Sequence, residues 1–181
     1  MADYSSENEG DVLDPSDETE DLAREQTKRR SLARQPIREI HFRAPVSVGS
    51  TQSAADAVRA MGERGMGCVL VVDQGRLVGI FTERDLLMKI VVAGKRPEDF
   101  RVTDVMTPQP ETLRPDDTIA FALNLMSVGG YRHIPLVDAQ GKPQGVLSVK
   151  DIVNFFVEHF PREVLTLPPT PSAGFKTPEG G

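Results

Sequence analysis

Apolar residues recur along the middle of this chain in one rhythm, written twice. Ala54, Ala57, Val58 and Met61 fall at i, i+3, i+4 and i+7, and so do Ile119, Ala122, Leu123 and Met126. That spacing puts one apolar stripe on a helix. Each predicted helix leads into an apolar run, Cys68 to Val72 or Ile134 to Val137, and then into a polar turn, Asp73 to Arg76 or Asp138 to Gln144. A second run follows, Leu77 to Phe81 or Gly145 to Leu147, as the partner strand of a hairpin. Thr82 and Ser148 then open another helix, with Leu86, Leu87, Ile90 and Val91, or Ile152, Phe155 and Phe156, as its apolar residues. Each copy therefore reads strand, helix, strand, strand, helix, an α/β (α+β) order.

The two copies superimpose by number. An offset of 65 pairs Pro45 with Pro110, Val48 with Leu113, Met61 with Met126 and Asp73 with Asp138. One extra residue in the second turn makes the offset 66 thereafter, pairing Gly79 with Gly145, Thr82 with Ser148 and Asp85 with Asp151. An internal duplication follows. Thr51 and Asp116 are placed to cap the first helix of each copy, and Gly65 and Gly129 or Gly130 to end it.

Composition narrows the class. A net charge of −6 and a single cysteine, Cys68, argue against a surface built for nucleic acid and against a disulfide framework. His41, His133 and His159 are too scattered for a zinc site, and no apolar stretch approaches the roughly 20 residues of a membrane span. Cytoplasm and no metal are the expectation. There is no P-loop, HExxH pair or nucleophile elbow, so no catalytic residue and no enzyme are predicted. Residues 1–35 form an acidic and then basic arm, the acidic part of a composition that predicts disorder. Residues 36–100 make the first repeat, 101–107 a linker, 108–160 the second repeat and 161–181 a Pro/Gly-rich tail.

Gly79-Ile80-Phe81-Thr82-Glu83-Arg84-Asp85, its echo Gly145 to Asp151, the run Tyr131-Arg132-His133-Ile134-Pro135 and the linker Asp104-Val105-Met106-Thr107 together resemble tandem cystathionine β-synthase (CBS) domains, a regulatory module. The resemblance implies two βαββα repeats packed through their sheets as a pseudo-twofold pair. It further implies two clefts that take adenosine-containing ligands such as AMP, ADP, ATP or S-adenosylmethionine, and a homodimer that signals to a regulated protein. In the first cleft the matching positions are Thr82 and Asp85 with Arg132 and His133, and the base would lie near Ala44, Gly67, Cys68 and Ile80. In the second, Ser148 and Asp151 are present with Thr107, but Gly67 and Cys68 stand where Arg132 and His133 stand in the first. The second cleft is therefore expected to be the weaker.

The chemistry suits these roles. An ionised Asp85 can accept from two ribose hydroxyls, open helix amides and the Thr82 hydroxyl can hold phosphate, and Arg132 offers a two-pronged donor. A protonated His133 would add charge, so that binding strengthens as pH falls through about 6.5. Other readings stay open. Thr-x-x-Asp is also a capping box, Arg132 could form a surface ion pair, His133 could be an interface residue, and Cys68 a small buried apolar one. The alternative for the whole chain is a ligand-independent protein-interaction or nucleic-acid-binding protein that uses the basic run around Lys28, Arg29 and Arg30.

Overall fold

The computed structural model describes Thr27 and residues 31–160. The acidic arm, Lys28 to Arg30 and the Pro/Gly tail lie outside the described residues.

In the first repeat β1 (Ser47–Gly49) leads to α1 (Ala54–Arg64), β2 (Cys68–Asp73) and β3 (Arg76–Thr82). A short α2 (Glu83–Asp85) then runs into a π-helical stretch, Leu86–Val91. A connector follows, with α3 (Val102–Val105) and β4 (Thr107–Pro108). The second repeat carries α4 (Ile119–Gly129), β5 (His133–Val137), β6 (Pro143–Ser148) and α5 (Val149–His159).

The helix ends explain themselves locally, with one correction. Ser53 and Thr118, rather than Thr51 and Asp116, cap α1 and α4, accepting from the amides of Asp56 at 3.1 Å and Phe121 at 3.3 Å. Ser53 wins because Asp56 three residues on returns the bond to the Ser53 amide, a reciprocal box that Thr51 cannot form from the preceding turn. Asp116 is engaged instead by Arg38. Gly65 and Gly130 end the helices at φ 57° and 67°, a conformation that favours glycine.

β1 lies parallel to β2, and β2–β3 and β3–β4 are antiparallel, giving the order β1-β2-β3-β4. The second sheet is the β5–β6 hairpin, flanked by single bridges of Leu113 to Leu136 and Arg43 to Val146. Both hairpins slip register at matching places, Val71/Val72 and Leu136/Val137.

The edges of the sheets are exchanged. β4, which precedes the second repeat in the chain, closes the first repeat at Gly79 and Ile80, while Arg43, which precedes the first, closes the second. The N-terminal segment also carries Leu32, Ile37 and Ile40 into the core of the second repeat, beside Leu113, Ile119, Ile134, Leu147, Ile152 and Phe155. The first core gathers Val48, Ala54, Val69, Val71, Phe81, Ile90 and the connector residues Val102 and Val105. Side chains alternate along a strand, so Val69 and Val71 face the helices while Cys68 and Leu70 face the other way and meet Ile80 and Val146 between the repeats. Burial on both faces accounts for the unbroken apolar run at 68–72. Burying each such side chain contributes about 1.5–3 kcal/mol.

Candidate ligand-binding clefts

The first cleft is built where β3 becomes a helix. Thr82 is extended, and its Oγ1 accepts the Asp85 amide at 3.2 Å. Asp85 Oδ2 returns the bond, accepting from the Thr82 amide at 3.0 Å and hydroxyl at 2.7 Å. The other oxygen, Oδ1, accepts from Thr107 Oγ1 at 3.1 Å and pairs with Lys89 Nζ at 2.7 Å. A carboxylate offers about four lone-pair sites, and all are used. Asp85 is the one buried charged or polar side chain among the described residues, at 7% exposure, and this full set of donors is what permits it.

Across the cleft, His133 opens β5 and Arg132 immediately precedes it. The Val149 amide holds the Arg132 carbonyl at 3.1 Å, as the Glu83 amide holds that of Gly67 at 3.1 Å, so the entry to each hairpin is tied to the start of a helix in the same repeat. The two sides enclose a cavity of about 340 Å³, within the size range of small-molecule sites. Thr82, Asp85, Gly67 and Ile80 line it from the first repeat, and Arg132 and His133 from the second. Gly67 is the floor: a side chain there would meet the His133 ring at 3.3 Å and the Glu83 carboxylate at 3.4 Å.

Other expected members lie elsewhere. Cys68 pairs with Thr82 across the hairpin and shares the inter-repeat face with Ile80, but it is buried in the cluster with Leu70, Ile80 and Val146 and does not line the cavity. Burial, reinforced by Glu83, pushes its thiol up to about 12, leaving it protonated and unreactive at neutral pH. Ala44 is exposed and outside the cavity, whereas Thr107, expected in the second cleft, lines the first. The exchange of edges is the cause: 41–44 runs along the second repeat and 107–111 along the first.

The cavity also holds residues that the motif reading passed over. Glu83 and Arg84 occupy its two spacer positions, and Gln109, Glu111 and Tyr131 come from the connector and the loop before β5. Two arginines, 84 and 132, thus share the cavity with carboxylates 83, 85 and 111. The offset of 65 carries a signal for Gln109, since it pairs with Ala44. Burial first, then the adjacent Arg132, holds His133 below its ordinary 6.5, against an opposing pull from Glu83 and Asp151. The protonated form of His133, which the charged role requires, is therefore disfavoured by its surroundings. The amides of Glu83 and Asp85 are also already bonded, so fewer helix amides are open to a phosphate than the motif alone implies.

The second cleft repeats the cap: Ser148 Oγ accepts the Asp151 amide at 3.2 Å, and Asp151 Oδ2 accepts the Ser148 amide at 2.8 Å and hydroxyl at 2.7 Å. A cavity of about 240 Å³ there is lined by His41, Arg43, Asp151, Asn154, Phe155 and Glu158. Ser148 caps without lining it. A cation, absent at positions 67 and 68, comes instead from Arg43 of the crossing N-terminal segment.

A family model for the CBS domain matches residues 37–92 and again 102–158. The chain belongs to the CBS domain family. A curated relative, the mitochondrial CBS domain-containing protein CBSX3 of Arabidopsis thaliana, is 35% identical over 117 residues, covering 62% of this chain and 56% of its own length. The first curated relatives are spanned over 16% to 62% of their lengths. Among solved structures, the CBS domain of a CBS domain-containing membrane protein of Sphaerobacter thermophilus superimposes with a TM-score of 0.64 at 26% identity, over 75% of this chain and 96% of that one. The CBS domain pair of protein MJ0100, in complex with 5′-methylthioadenosine and S-adenosyl-L-methionine, shares the fold with a TM-score of 0.61 at 24% identity, over 67% of this chain and 99% of that one. No catalytic family is indicated. Among the described residues, no helix is long and apolar enough to cross a membrane.

Proposed function

We propose that this CBS pair is a non-catalytic sensor that binds an adenine nucleotide in the first cleft and signals its occupancy to a partner protein. The observation that carries the reading is the meeting of Thr82 and Asp85 from one repeat with Arg132 from the other around a single cavity. Asp85 receives the ribose, exchanging one of its present donors for a ribose hydroxyl. The phosphate lies toward Arg132 and Arg84, away from Glu83 and Glu111, which repel it. Arg132 provides the planar fork, and His133 a hydrogen bond. An adenosine-bound pair of the same fold supports the ligand class. A homodimer fits the apolar stripe of Leu87, Met88, Val91 and Val92, each more than half exposed on the helix leading from Asp85.

Thermal unfolding with AMP, ADP, ATP and S-adenosylmethionine tests this. A ligand that binds only the native state adds about 2.7 kcal/mol at 100 times its dissociation constant. At least one should raise Tm, and the rise should vanish in Arg132→Gln. No rise with any of the four would sink the proposal.

The alternative of a nucleic-acid-binding protein rests on a basic run whose central residues lie outside the described part. Within it, Arg38 is engaged by Asp116 and Glu39.

A further inference from the structure

The two repeats part company one turn beyond the aspartate that both carry, Asp85 and Asp151. Lys89 follows Asp85 by four residues, and at the same distance from Asp151 the chain has Phe155. Phe155 lies in a regular α-helix and is buried in the second core. Lys89 lies in the π-helical stretch, where the amides of Val92 and Lys95 reach back five residues to Leu87 and Ile90 at 2.9 and 3.0 Å. Such widened turns concentrate at functional places.

An ammonium has three N–H donors, and here each has an acceptor. Lys89 Nζ meets Asp85 Oδ1 at 2.7 Å, the Val105 carbonyl at 2.9 Å and the Met106 carbonyl at 3.0 Å. The two carbonyls sit where α3 ends and the connector turns into β4. The next residue, Thr107, donates to the same Asp85 oxygen. Met106 also lies so close over Gly79 that a side chain there would collide with it. Three consecutive connector residues are thus fastened to the first repeat, two of them by their carbonyls to Lys89 and one by its hydroxyl to Asp85.

We propose that Lys89 couples occupancy of the first cleft to the connector between the repeats. This rests on the reading of that cleft as a nucleotide site. Every lone pair of Asp85 is already used, so a ligand hydroxyl that reaches it must displace the Thr107 hydroxyl or draw the carboxylate from Lys89. Either exchange alters the hold of the ammonium on Val105 and Met106. The second repeat lacks the device: Phe155 stands in place of the lysine, and the offset of 65 puts Phe42 in place of Thr107. Lys89 is a positioning residue and need not touch the ligand.

Amide hydrogen exchange resolved by residue, on the full chain with and without saturating AMP, tests the coupling. The reporters are the Met106 amide, bonded to Val102, and the Gln109 amide, bonded to Val78. Without AMP, Lys89→Met is expected to speed exchange at both by about tenfold. In the wild type, AMP is expected to change their exchange by about fivefold or more. In Lys89→Met, AMP still binds by calorimetry but leaves them unchanged. Unaltered exchange in the variant without AMP, or a full AMP response in it, overturns the proposal. Failure of AMP to bind the wild type overturns the nucleotide reading and the coupling together, and is recognised by calorimetry on the wild type alone. If Lys89→Met does not fold, Lys89→Gln, which keeps an N–H donor, carries the same readouts and outcomes.

Discussion

The two clefts begin with the same device and end with different ones. Thr82/Asp85 and Ser148/Asp151 form matching caps, with each carboxylate returning a bond to the backbone of the residue that opens the helix. Beyond that cap, Asp85 is buried and also bound to Lys89 and Thr107, while Asp151 is only partly buried. The partners decide the difference. The first cleft receives a connector that presents hydroxyl, carbonyl and amide groups, and the second receives an N-terminal segment that presents Phe42 and Arg43. Duplication supplies the scaffold twice, and the crossing segments make one copy a polar hub and the other a helix cap beside a smaller cavity.

The largest effect expected to separate them is on stability. Asp85→Ala leaves Lys89, Thr107 and the Thr82 amide without their acceptor and should cost about 2–3 kcal/mol, against about 1 kcal/mol for the lost cap in Asp151→Ala. Urea unfolding measures both, and equal losses would break the comparison.

The glycines that open the motifs give the next contrast. A side chain at Gly145 would meet the Phe42 ring at 2.5 Å and the Arg43 carbonyl at 3.2 Å, whereas at Gly79 the three nearest atoms all belong to the Met106 side chain. A methionine can turn aside, but a ring held beside backbone cannot. Gly145→Ala should therefore cost about 1–3 kcal/mol and Gly79→Ala less. The reverse order would show that the edge strands are not held as described.

The smallest effect is a pH slope. His133 in the folded chain titrates below 6.5, so between that value and its lowered one the unfolded chain binds more protons. Its contribution is intact above about 6.5 and is lost as pH falls through the folded value. The stability difference between wild type and His133→Gln should accordingly move against the wild type as pH falls from 7 to 5.

Much of this was legible in the chain. The i, i+3, i+4, i+7 stripes placed α1 and α4, and the offset of 65, then 66, exposed the duplication on which the fold rests. Thr51 and Asp116 misled because a cap is chosen by reciprocal bonding, and only Ser53 has the Asp56 partner in place. Thr107 was expected in the second cleft and lines the first cavity, and Ala44 was expected in the first and lies outside it, because strand pairing across a crossover is invisible to local periodicity. Lys89 reads from sequence as a polar residue between apolar neighbours. Its role depends on carbonyls 16 and 17 residues away, which no spacing rule predicts.

The central claim is that the clefts are unequal because of what faces each cap. Calorimetric titration of the wild type, Arg132→Gln and Arg43→Gln with AMP tests it most directly. One site per chain, abolished in Arg132→Gln and unchanged in Arg43→Gln, is the predicted result. Two equivalent sites, or a single site lost in Arg43→Gln and kept in Arg132→Gln, would contradict it.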